Sequence, residues 1–268
     1  MPFANAYLLW EEDYLQREKE FTDFIKYVPP SENQKSVWSL KLANQLILIG
    51  SSIDSFFKQS MPFYLNESIK SKYNSKWGNV QNISKELELF NRLKHSNKKN
   101  NNKKFKKLNL GDFRDLFEGY YNQLSKHAVY LLVTREKIVP FEEWGSGGGL
   151  NWWDAYTNLK HNRFKNRELA TVENVLNALA ALFLLNVYYH PNRKFLAEKG
   201  LIETFYGIPL RSLLSILEKK RITRFTSSQK PIVKTNLFAY IYDDDHYWNM
   251  DIDDPWRILD PHNVYDLR

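Results

Sequence analysis

No cysteine occurs in the 268 residues, which excludes disulfides, thiolate metal sites and cysteine nucleophiles and fits a reducing compartment. Long hydrophobic runs are missing as well. The longest apolar stretches, at residues 46–49 and 178–185, fall far short of the about 20 residues that cross a bilayer. The opening string MPFANAYLLWEEDYLQREKEF has no basic segment leading into a sustained apolar run, so no secretory signal is expected, and the expected location is cytoplasmic, away from membranes. Acids are in the minority, 31 against 38 Lys and Arg, for a net charge of +7. That balance favours a polyanionic partner. Much of the excess is local, because residues 94–107 (KHSNKKNNNKKFKK) hold seven lysines and no acid.

What is present is ample for a core: 43% hydrophobic and 15% aromatic residues exclude global disorder. The length suits one large domain, or a core with a sizeable insertion. Residues 7–28 read as an amphipathic helix ended by Pro29-Pro30. Residues 36–59 read as a long helix, with Leu42, Leu46, Ile49, Ile53 and Phe57 as its core stripe and Met61-Pro62 as its end. A further helix is expected at 83–93, then a low-complexity loop at 94–107, then a helix or irregular segment packed through Phe113, Leu116, Phe117 and Tyr120. The runs AVYLLVT and KIVPF flank Arg135-Glu136 and predict a β-hairpin, although its turn has no Gly or Asn. Residues 145–149 (GSGGG) read as a flexible hinge. They lack the Lys-Ser or Lys-Thr and the GxGxxG spacing of a phosphate-binding loop. Beyond Pro191 come shorter helices, a strand or two around KTNLFAYIYD, and an acidic tail at 243–268.

The most informative stretch is 151–190. Its first part, NWWDAYTNLKHNRF, carries Asp154, Asn158 and His161 at spacings of four and three, which puts a carboxylate, an amide and an imidazole on one helical face. Its second part, TVENVLNALAALFLLNVYYH, carries apolar Val172, Val175, Leu176, Leu179, Leu182, Phe183 and Val187, is free of Gly and Pro, and reads as the central core helix. The aspartates at 243–245, 251, 253 and 254 with His246 could ligate a hard cation, but the Gly and bidentate Glu of a calcium loop are missing. No metal and no cofactor are expected.

Trp152-Trp153, Tyr156, Asn158, Lys160-His161 and Arg163, followed at once by the apolar helix, resemble HEPN-type domains, the helical bundles of bacterial and archaeal toxin and defence systems. The wider string (PFEEW, a Gly-rich loop, WWDAYTNLKHNR, ATVENVLNALAALFLL) is similar to a group of bacterial proteins with HEPN-like folds. The resemblance implies a mainly α fold: a HEPN-like helical bundle over residues 1–200 with a β-hairpin inserted at about 62–149. A mixed α/β C-terminal extension at 201–268 would pack on the same domain. Catalytic members of that family cleave RNA without a metal, using an Arg a few residues before a His, with two copies meeting in a homodimer. Carried onto this chain, His161 matches the family His, and Asp54 and Lys58 match a supporting acid and base. The positions where the Arg should fall are Asp154, Ala155 and Tyr156. Lys160 and Arg163 are neighbouring cations at a different spacing. Arg257 and His262 fit the spacing but enclose a Pro in an irregular tail.

Two functions follow as expectations. In one, the chain is a bacterial defence or toxin-type endoribonuclease: His161 moves the proton, Arg163 or Lys160 stabilises phosphate charge, Asn158 orients the scissile group, and Asp54 with Lys58 braces the site. In the other, the polar face is the interface of a non-catalytic module that dimerises or binds a partner protein. Each residue also has a plain structural reading. His161 can serve as an interface or hydrogen-bonding residue, Asp54–Lys58 as a helical ion pair, and Trp152, Trp153 and Tyr156 as core aromatics rather than base-stacking ones. Lys98, Lys99, Lys103, Lys104, Lys106 and Lys107 either contact phosphates or are merely solvated. Deletion of residues 98–107 separates those two: phosphate contact predicts weaker RNA binding with a shallower salt dependence in an equilibrium titration, and a solvated loop predicts no change in either.

Overall fold

A helix that is apolar on every side must be buried on every side, and one segment of this chain meets that description. In the computed structural model, which describes residues 8–74, 109–120, 124–188, 190–204 and 231–242, the helices are α1 (Leu15–Ile25), α2 (Leu40–Asn74), α3 (Leu110–Tyr120), α4 (Asn151–His161), α5 (Val172–Tyr188) and α6 (His190–Glu198). The strands are β1 (Val129–Leu131), β2 (Glu136–Ile138), β3 (Ile202–Thr204), β4 (Pro231–Lys234) and β5 (Phe238–Ile241). The described chain is therefore mostly helical with a small antiparallel sheet. Every residue of α5 from Ala178 to Tyr188 is buried. Among the described residues, no helix is long and apolar enough to cross a membrane.

The residues cluster into two compact units, one drawn from 1–50, 127–140 and 151–268, the other from 51–126 and 141–150. In the first unit, α5 is the core. Phe183 on α5 meets Trp10, Tyr14 and Phe238 at ring-centroid distances of 6.2, 5.5 and 5.6 Å. Asn186, fully buried, gives its amide to the Leu182 carbonyl at 2.9 Å and accepts from Asn192 at 2.8 Å, which ties α6 to α5. The hydroxyl of Tyr242 donates to the Val187 carbonyl at 2.7 Å.

The strands form one antiparallel sheet in the order β2-β1-β5-β4-β3. The hairpin expected within the insertion and the strands expected in the C-terminal extension are thus parts of one sheet, joined where Tyr130 faces Ala239. The β1–β2 connection is four residues rather than two. Arg135 closes it at a φ of 60°, the left-handed conformation that a Gly or Asn would ordinarily supply. Pro231 opens β4, one of the strand positions that tolerates a missing N–H.

The N-terminal segment begins as a wide π-helical turn, Leu8–Tyr14, and continues as α1. Trp10, Tyr14, Glu18, Phe21 and Ile25 form its buried stripe. The carboxylate in that stripe is saturated: Oε1 of Glu18 accepts from the Tyr14 hydroxyl at 2.8 Å, from the Leu237 N–H at 3.1 Å and from the Thr235 hydroxyl. Burial, with the Glu18 charge adding to it, holds the Tyr14 phenol well above the usual tyrosine range, so Tyr14 stays a donor.

In the second unit, Phe57 is the hub. Its ring lies 5.0 Å from Phe113, 4.9 Å from Phe117 and 5.8 Å from Trp144. The Glu118 carboxylate accepts from the Ser125 N–H at 2.7 Å and its hydroxyl at 2.8 Å. Two expectations fail here. Helix α2 continues through Pro62 to Asn74, because a proline removes one N–H from a ladder that its neighbours maintain. The GSGGG stretch is a fixed turn, not a hinge. Gly147 caps it at a φ of 79°, with N–H bonds to Trp144 and, from Gly148, to Glu143, and with its own carbonyl held by Arg114.

Glu18→Ala should destabilise the protein by about 3 kcal/mol or more, because three donors lose their acceptor at once. Glu18→Gln, which retains an oxygen, should cost less. Urea unfolding midpoints of the two variants check the order.

Candidate functional site

Helix α4 is amphipathic with an aromatic inner face. Trp152, Ala155, Tyr156 and Leu159 are buried at the spacing of one stripe, and the Trp152 indole N–H donates to the Pro140 carbonyl at 2.8 Å. Trp153 is half-buried, edge-on to Trp152 and Tyr156. The tryptophan pair and Tyr156 are therefore packing residues. The Tyr156 ring lies over Gly50 of α2 so closely that a Cβ at that position would fall inside the ring's van der Waals radius. With the aromatic face fixed inward, the opposite face carries Asp154, Asn158 and His161 into solvent.

The chain beyond α4 is held by its own side chains. Asn162 donates its N–H to the Asn158 carbonyl at 2.9 Å, and the Asn166 amide donates to the same carbonyl at 2.9 Å. Asn162 Oδ1 accepts from the Lys165 N–H at 3.2 Å, and Asn174 Nδ2 donates to the Leu169 carbonyl at 2.8 Å. A bridge between Trp38 and Thr171, with the Val172 N–H donating to the Val37 carbonyl at 2.9 Å, lays this segment against residues 35–40. Arg163 reaches across to the Leu40 carbonyl at 3.2 Å, and the Arg167 guanidinium stacks over the Trp38 ring 5.2 Å from its centroid.

The residues singled out in the sequence fall as follows. His161 is the last residue of α4 and is exposed; Asn158 is exposed one turn earlier. Lys160 donates to the Tyr156 hydroxyl at 2.9 Å and lies 5.2 Å from that ring's centroid. Arg163 is half-buried against Leu40. These four occupy the first unit. Asp54 and Lys58 occupy the second, as an i,i+4 ion pair at 2.5 Å. Of the three positions where the family Arg would fall, Ala155 and Tyr156 are buried and Asp154 is exposed. Lys98, Lys99, Lys103, Lys104, Lys106 and Lys107, the Arg257–His262 pair and the acidic tail lie outside the described residues. Among the described residues, no group of three His, Asp or Glu is placed to hold a metal ion.

Trp38, Phe164, Lys165 and Arg167 belong to the same surface and did not stand out in the sequence. The signal for Phe164, Lys165 and Arg167 was the absence of any acid between Asp154 and Glu168, a window with four cations and a His; Trp38 had no such signal. Phe164 is 83% exposed.

No protein-family model matches the chain, and no match was found among curated proteins or among solved structures.

Gly50→Ala should cost about 1–3 kcal/mol, since the Tyr156 ring must move and the outer face of α4 moves with it. A thermal unfolding midpoint equal to that of the wild type would show that α4 is not seated on Gly50.

Proposed function

We propose that the chain is a HEPN-like protein acting on RNA, with His161 as the proton-transfer group of a metal-independent endoribonuclease. The observation that carries the reading is the exposure of His161 at the end of α4, one turn from Asn158 and flanked by Lys160 and Arg163. An imidazole open to water can meet a ribose hydroxyl or a leaving oxygen. A cation fixed in place can stabilise the charge that builds on the phosphorus-bound oxygens. Hydrogen bonds position both cations, Lys160 through the Tyr156 hydroxyl and Arg163 through the Leu40 carbonyl. In this reading the attacking hydroxyl belongs to the RNA, Asn158 orients the phosphate, and a homodimer would set two such faces together. Asp54 and Lys58 are assigned no chemistry here, because their pairing with each other accounts for them as a helical ion pair.

A second reading has its own observation. The places where a family Arg would fall hold Asp154 and two buried residues, Ala155 and Tyr156. That substitution favours a non-catalytic module whose polar face docks on a second copy or on a partner protein.

Incubation of purified protein with RNA in EDTA distinguishes the two. The catalytic reading predicts cleavage that survives chelation, falls by roughly 100- to 10,000-fold in His161→Ala, and weakens in Arg163→Ala. Wild-type protein that leaves every RNA offered intact, while remaining folded, sinks it in favour of the module.

A further inference from the structure

We infer that the segment 162–169, together with Trp38, is a binding surface for single-stranded nucleic acid, with bases stacking on Phe164 and Trp38 and phosphates lying against Arg163, Lys165 and Arg167. The inference rests on the reading above only in taking RNA as the natural ligand.

Charge comes first. Among the described residues, Arg163, Lys165 and Arg167 form no ion pair, and Glu168 is the only acid in the segment. Lys35, by contrast, is spoken for: it pairs with Glu32 and, at 3.4 Å, with Glu136. Glu173 is the other exposed acid nearby, set where its N–H meets the Lys35 carbonyl and not within the loop itself. The loop therefore presents three cations, none of them in an ion pair among the described residues, against a single acid, which is complementary to a phosphodiester chain.

The aromatic groups then narrow the ligand. Phe164 is 83% exposed and Trp38 39% exposed, and the Trp38 ring is already capped by the Arg167 guanidinium at 5.2 Å. An exposed phenyl on a polar surface is ordinary by itself. Here it sits on a loop whose main chain is tied by Asn166, Arg163 and Asn174, with the ring turned to solvent. Bases in a duplex are stacked on one another and offer no free face, whereas unpaired bases stack on Phe, Trp and Arg planes. Exposed rings beside cations that form no ion pair suit a single strand and not a duplex.

Fluorescence anisotropy with labelled oligo(U), oligo(dT) and an RNA duplex of the same length tests this. Oligo(U) and oligo(dT) should bind more tightly than the duplex. Phe164→Ala should weaken oligo(U) binding about five- to 100-fold with an unchanged unfolding midpoint, because the side chain is exposed. Lys165→Gln combined with Arg167→Gln should flatten the dependence of log affinity on log salt by about 0.7 for each phosphate that the variant leaves unneutralised. Duplex bound as tightly as oligo(U), or Phe164→Ala binding like wild type, overturns the inference. So does a wild-type dimer that Phe164→Ala turns into a monomer with no oligonucleotide bound by either, since the surface would then join two copies of the chain. Strand binding without cleavage would sink the catalytic reading and leave this one standing; cleavage indifferent to Phe164 would do the reverse.

Discussion

One oxygen atom links the beginning of the described chain to its end. Oε1 of Glu18 collects the Tyr14 hydroxyl, the Thr235 hydroxyl and the Leu237 N–H, across more than 200 residues of sequence. A buried carboxylate is costly unless its lone pairs are filled, and here the donors converge from the π-helical turn before α1 and from the β4–β5 turn. The turn needs the acceptor as much as the acid needs donors. Thr235 also accepts from the Phe238 N–H at 3.1 Å, and the Leu237 carbonyl accepts from the Leu132 N–H at 2.8 Å, so the same corner passes support to the end of β1. Without Glu18 the β4–β5 turn loses the hydrogen bonds that join it to α1.

The placement of the candidate site follows from packing rather than from its polar residues. Trp152, Tyr156 and Leu159 turn inward because the indole N–H finds the Pro140 carbonyl and Gly50 leaves room for a phenol ring. Asp154, Asn158 and His161 then have nowhere to go but out. The loop that follows is fixed at the end of α4, where helix geometry leaves acceptors open: the Asn158 carbonyl accepts from the Asn166 side-chain amide and from the Asn162 N–H. The surface proposed for RNA thus rests on side-chain hydrogen bonds to main chain, and Arg163, bonded to the Leu40 carbonyl, is held without being neutralised.

Periodicity made the helices legible, and pairing partners made the sheet illegible. The unbroken apolar run of α5 and the stripe from Leu42 to Phe57 report burial directly, so both could be read from the sequence. The strands are three or four residues each, too short to show alternation, and β1 meets β5 from more than 100 residues away. The hairpin itself was legible from the two β-rich runs on either side of Arg135-Glu136, but its four-residue turn, closed by Arg135 in a left-handed conformation, was not. The helical face at 154, 158 and 161 was readable because side-chain direction follows spacing. Trp38 was not readable as a member of the same surface, since only the bridge to Thr171 brings residue 38 beside residue 167.

The two cations nearest His161 differ in what they can offer a phosphate. Arg163 has five donors in a rigid fork, and among the described residues one meets the Leu40 carbonyl. The rest of the fork can engage a phosphate bidentately while that bond holds the plane in place. Lys160 is a point charge whose position depends on the Tyr156 hydroxyl, and Tyr156 in turn depends on Gly50. In the RNA-cleaving reading, Arg163 is the better substitute for the Arg that the family pattern would place elsewhere. The reason is geometric: a transition state that spreads charge over several oxygens is matched by a planar fork, and a lone ammonium on a flexible stem must first be held still.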